Sequence, residues 1–114
     1  MTKPDNRQRL RHILEAIAKI ESYLREFDEE KFRQDEKTSA AVTWQLAVIG
    51  EAVANLTSEL REENPQVVWN KISGTRNHLI HGYFSIDSDV VWDTTQNDLP
   101  ILKKQTEEIL ENLT

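Results

Sequence analysis

RLRHILEAIAKIESYLREF, residues 9–27, sets Leu10, Ile13, Leu14, Ile17, Ile20, Leu24 and Phe27 at steps of three and four. At about 100° per residue that spacing draws one apolar stripe along a helix. The stretch therefore predicts a first helix from about Asp5 to Glu26, with one face turned to a core and the charged residues turned to water.

The same reasoning runs outward from it. Asp28 follows directly, and Phe27 before it and Phe32 in the next turn have the spacing of a hydrophobic staple, which predicts a short capped turn of helix from Glu29 to about Gln34. Val42, Leu46, Ile49, Val53, Leu56 and Leu60 then fall on one helical face, with Trp44, Val48 and Ala52 beside it. An apolar arc that wide predicts a helix covered on two sides, central in a bundle or facing a second subunit.

Asn64-Pro65 has the form of a helix start, because Asn caps free amides and proline is tolerated at the first helical position. It predicts a third long helix from about Pro65 to the region of His81, ended by Gly82. Asp87, between Ile86 and Val91, predicts the cap of a last helix that carries Val91, Leu99, Leu102, Ile109, Leu110 and Leu113 and is kinked or briefly broken at Pro100. The expected fold class is all-α, a small antiparallel helical bundle.

The totals agree. Three glycines and three prolines in 114 residues supply too little material for the many tight turns of an all-β protein. The length suits one domain spanning 1–114, with about the first four residues expected to be disordered. No cysteine is present, which excludes a disulfide frame, a thiolate zinc site and a cysteine nucleophile. There is no long apolar run and no basic-then-apolar leader, so the expectation is a cytoplasmic protein without a membrane span. A net charge of -6 argues against a broad basic surface, and leaves nucleic acid only a local exception.

That exception is visible in the row. Residues 64–86 contain no Asp or Glu, and the other 91 residues hold all 20. Within the gap lie Lys71, Arg76, His78 and His81, positive and protonatable groups with no carboxylate neighbour in sequence, a combination suited to phosphate. Taken singly, each has a plainer reading: Arg76 pairs with a Glu of another helix, His81 sits at a helix C-terminus, and Tyr83 is core.

Spacing sharpens the comparison. On one helix Asn77 and His81 stand a turn apart on the same flank, whereas Arg76 and His81, five apart, are separated by about 140°. Either the helix ends near His81, or a second copy supplies the opposing group across a dimer axis. The chemistry that fits the pair is phosphodiester cleavage of RNA, with His81 moving protons and Arg76 holding the phosphate. The scheme calls for no metal and no cofactor, and no set of ligands with metal spacing stands out in the chain.

Arg76, four residues, His81, one residue, Tyr83 resembles the motif of the HepT-like HEPN proteins, toxins of a bacterial and archaeal toxin-antitoxin system. The neighbouring stretches WNKISGTRN, YFSID, VVWD, NDLPIL and IGEA extend that resemblance over most of the chain from about Val42 to Leu102. It implies a helical homodimer whose two motifs meet at a cleft, acting as a metal-independent ribonuclease on cellular RNA such as tRNA or mRNA. By position it makes Arg76 and His81 the catalytic pair and Asn77 a supporting polar residue. It also implies a cognate minimal nucleotidyltransferase antitoxin (MntA-like), in complex with the toxin, that transfers AMP to the motif tyrosine, here Tyr83.

The rival expectation is a non-catalytic module of the same fold that docks a nucleotidyltransferase and presents a substrate to it. Glu51, in IGEA, is expected to make a buried or interface salt bridge in preference to reaching Arg76. Trp44, Trp69 and Trp92 are expected to pack and not to stack bases.

Overall fold

The computed structural model describes residues 5–83 and 85–113, so the expectation of disorder at residues 1–4 lies outside the described residues. Asp5 opens the first helix, α1 (Asn6–Tyr23), through a capping box: its carboxylate accepts from the Gln8 amide at 2.8 Å, and Gln8 Oε1 accepts from the Asp5 amide at 2.9 Å. The helix ends three residues short of the Glu26 expected for it, because Glu26 takes a left-handed φ of 67° and turns the chain. Leu10, Ile13, Ala16, Ile17 and Ile20 are buried along its inner face.

Asp28 caps α2 (Glu29–Gln34) by accepting from the Lys31 amide, as the staple predicts, and Phe32 is fully buried. Asp35 caps α3 (Glu36–Ala54), the central element, which packs on α1 and on the helices introduced below. Val42, Leu46, Ile49 and Val53 are its core residues. Its stripe runs on through Leu56 and Leu60 in sequence, and the helix nevertheless stops at Ala54. Thr57 exchanges side-chain and backbone hydrogen bonds with Asn6 at the head of α1 and caps a separate helix, α4 (Ser58–Glu63), that buries Leu60.

The long third helix is not formed. Asn64 closes α4, and its carbonyl accepts from the Trp69 indole at 2.9 Å, which holds residues 64–68 as a loop. Helix α5 is only Trp69–Thr75 and passes into a tight 3₁₀ turn, Arg76–His78. The chain then extends into a two-residue strand, β1 (Ile80–His81), paired antiparallel with β2 (Ser85–Ile86) in the register Ile80 with Ile86 and His81 with Ser85. Gly82, at φ 65°, makes the turn, and the Asp87 amide donates to the Leu79 carbonyl at 2.9 Å beneath it.

Asp87 caps α6 (Ser88–Asp93), again as predicted. The expected break near Pro100 is a wider π-helical turn over Thr94–Asp98, after which α7 (Leu99–Asn112) carries Pro100 in its first turn and buries Leu99, Leu102 and Ile109 against α1. The fold class is therefore all-α with one small hairpin. Among the described residues no helix is long and apolar enough to cross a membrane.

Candidate active site

The motif residues sit where α5 unwinds, so His81 leaves in an extended strand and not along a continuing helix. Arg76 opens the 3₁₀ turn and lies against α3, where a Cβ built at Gly50 would stand 3.5 Å from both its Cβ and its Cδ. A side chain larger than Ala at position 50 would displace the arginine stem. From there the guanidinium reaches the next residue of α3: Arg76 Nη1 donates to Glu51 Oε1. This is the plainer reading of Arg76, a Glu partner from another helix. It corrects the expectation for Glu51, which reaches the motif arginine and is itself 65% exposed.

Asn77 and His81 line a different surface. With His78 they form one wall of an open groove of about 630 Å³, whose other walls include Asn70, Lys71, Asp87 and Asp98. Arg76 does not line that groove. One chain therefore brings Asn77 and His81 together and turns Arg76 toward α3. The helix ends before His81, as the first of the two sequence alternatives has it, yet this does not bring Arg76 into the groove that His81 lines.

His81 lies in the ladder of the hairpin, not at a helix end, and is exposed. Tyr83 stands at the hairpin tip and is 94% exposed, which removes the reading of it as core. The acid-free run of sequence is not acid-free in space. Glu51 meets Arg76, Asp98 meets Lys71 at 3.5 Å, and Asp87 shares the groove with His81. No periodicity or motif in residues 64–86 signals those carboxylates, because they arrive from α3, the π turn and the α6 cap.

Trp69 and Trp92 pack as expected, Trp69 buried with its indole bonded and Trp92 with its ring centroid 5.4 Å from that of Phe32. Trp44 does not: it is 68% exposed, in a groove with Ala47, Val48, Glu51 and Ala52. Among the described residues no group of three or more His, Asp or Glu is arranged to hold a metal ion.

The family model described as ribonuclease HepT-like matches residues 13–109, an interval that contains α3, the motif and most of α7. The chain belongs to the ribonuclease HepT-like family. It is 37% identical over 107 residues to a Thermococcus cleftensis protein named "Probable ribonuclease HepT", covering 94% of this chain and 97% of that one. It is 38% identical over 113 residues, 99% of this chain and 93% of the other, to a Methanocaldococcus jannaschii protein named as a candidate RNase. A third relative, from Caldanaerobacter subterraneus and also named as a candidate RNase, is 37% identical over 102 residues, 90% of this chain and 91% of its own. No solved structure matches the chain significantly.

Proposed function

We propose that this HepT-like protein is a ribonuclease toxin that cleaves cellular RNA as a homodimer, without a metal, and is silenced by AMP attached to Tyr83 by a cognate nucleotidyltransferase antitoxin. The observation that carries the reading is the groove shared by Asn77 and His81, in a chain whose family is that of ribonuclease HepT.

In the proposed reaction the ribose 2'-oxygen attacks phosphorus and the P–O5' bond breaks, leaving a 2',3'-cyclic phosphate and a 5'-hydroxyl. A neutral His81 takes the proton from the 2'-hydroxyl, and a protonated His81 of the second copy returns one to the departing 5'-oxygen. Arg76 of the facing motif holds the nonbridging oxygens as charge grows on them. The dimer is supported by Arg76 and His81 of one chain lining different surfaces.

The tyrosine control is supported by the position of Tyr83 at an exposed tip, two residues from His81. An AMP there adds a phosphate and an adenosine two residues from His81, and so competes for the groups that hold RNA.

Purified protein should cut total RNA into fragments ending in cyclic phosphate, and His81→Ala should lose at least about a hundredfold of that rate, the usual worth of a general acid or base. Co-expression with the nucleotidyltransferase should raise the mass by whole AMP units, and Tyr83→Phe should stay unmodified. Wild-type protein that leaves RNA intact would favour the non-catalytic docking module instead.

A further inference from the structure

Arg61 is a cation without an evident counterpart. It lies partly buried on α4, its Nε finds no hydrogen-bond acceptor among the described residues, and no carboxylate there lies within ion-pair distance of it. Arg33 and Arg76, by contrast, each hold a carboxylate. The Nε is enclosed by protein, so the groups Arg61 offers to the groove are its terminal guanidinium nitrogens. A guanidinium is weakly hydrated, and its fork of donors matches phosphate oxygens in pairs.

The surroundings point the same way. Arg61 lines an open groove of about 640 Å³ together with Ser58, Asn70 and Lys71. Asn70 and Lys71 also line the groove that holds Asn77 and His81. The two grooves therefore meet across the first turn of α5, and a strand leaving His81 can pass over Lys71 to Arg61 without crossing the core.

We propose that RNA held at His81 continues along this second groove, where Arg61 binds one of its phosphates and Lys71 bridges the two halves of the track. The proposal rests on the ribonuclease reading above. It answers how an acidic protein grips a polyanion: the contact is a narrow line of donors and not a basic face. Three carboxylates line it, and two of them are engaged. Asp87 caps the Val90 amide, and Asp98 pairs with Lys71 at 3.5 Å with both side chains at least a third exposed, a pair weak enough for a phosphate to displace. Glu62, beside Arg61 in the same groove, is exposed and opposes binding.

The test uses the full chain with His81→Ala, so that labelled single-stranded RNA stays intact while anisotropy reads its affinity across a range of salt. Adding Arg61→Gln should weaken binding about five- to tenfold at low salt and flatten the slope of log affinity against log salt by about 0.7, the worth of one single-strand phosphate. Glu62→Gln, an exposed change that leaves the Arg61 packing alone, should tighten binding, and serves if Arg61→Gln folds poorly. RNA bound by either variant with the parent affinity and slope overturns the track, and the nuclease reading survives if wild-type protein still cuts RNA. Wild-type protein that neither cuts nor binds RNA removes both.

Discussion

Arg76 and Glu51, 25 positions apart, form an ion pair that joins the 3₁₀ turn of the motif to α3. Both groups are more than a third open to water, so the pair stabilises the fold by no more than about 1 kcal/mol. Its consequence is for the position and charge of the arginine.

Two substitutions separate those roles. Glu51→Gln keeps an oxygen acceptor for Arg76 and removes a negative charge that competes with the substrate phosphate, so KM for RNA should fall up to about fivefold, the worth of such a pair. Glu51→Ala removes the acceptor as well, and kcat should fall about tenfold as the arginine loses its orientation. Urea melts should place both variants within about 1 kcal/mol of wild type. Identical kinetics for the two variants would show that Glu51 does not act through Arg76.

The turn that carries His81 toward the groove is equally open to a test. Gly82 holds a φ of 65°, a region that costs an L-residue about 1–2 kcal/mol. Gly82→Ala should therefore destabilise the protein by about 1 kcal/mol and reduce RNA cleavage by more than the small loss of folded protein explains, because the strain falls on the hairpin between His81 and Tyr83. Gly82→Asn, which tolerates that φ, should recover most of both. Cleavage by Gly82→Ala at the wild-type rate would mean that the hairpin does not set the position of His81.

How far the sequence could be read follows from where local and tertiary signals agree. The stripe of α1, the Asp28 and Asp87 caps and the interruption near Pro100 are written in spacing and capping chemistry, and each appears close to its predicted place. The third helix failed because its limits are tertiary. The Trp69 indole ties itself to the Asn64 carbonyl, which undoes the apparent Asn-Pro start, and Leu79 is buried with its carbonyl bonded to Asp87, which pulls the chain out of helix before His81. The break after Ala54 is likewise set by Asn6, 51 residues away from Thr57. The motif residues were legible by type and interval. The separation of Arg76 from Asn77 and His81 was legible too, but the turn and hairpin that produce it were not, because the helix assumed for them ends at Thr75.

One core position offers a stability gain. Thr106 is fully buried in α7, and its Oγ1 has no hydrogen-bond partner among the described residues. An unpaired buried hydroxyl carries a desolvation penalty of about 1–3 kcal/mol, and Val has nearly the same shape. Thr106→Val should raise the urea midpoint with m unchanged, by up to about 1 kcal/mol of stability, since side-chain replacement recovers only part of the penalty. A lower midpoint would show that the hydroxyl is satisfied in solution.

The proposed dimer can be tested at Trp44. This side chain is 68% exposed on the central helix, beside Ala47, Val48 and Ala52, and the same groove carries Glu51 on α3 opposite Arg9 and His12 on α1. A patch that holds both an acid and bases can pair with its own copy across a two-fold axis, the acid of each side meeting a base of the other. Trp buries about 150–250 Å² when covered, and an anchor of that kind is commonly worth 2 kcal/mol or more at an interface, about 30-fold in dissociation constant. Because a two-fold interface contains it twice, Trp44→Glu should convert a wild-type dimer to monomer at micromolar concentration in light scattering, with helical circular dichroism retained. RNA cleavage should fall with the dimer if facing motifs complete the site. A wild-type mass equal to one chain would refute the dimer, and a variant that stays dimeric would move the interface to another face.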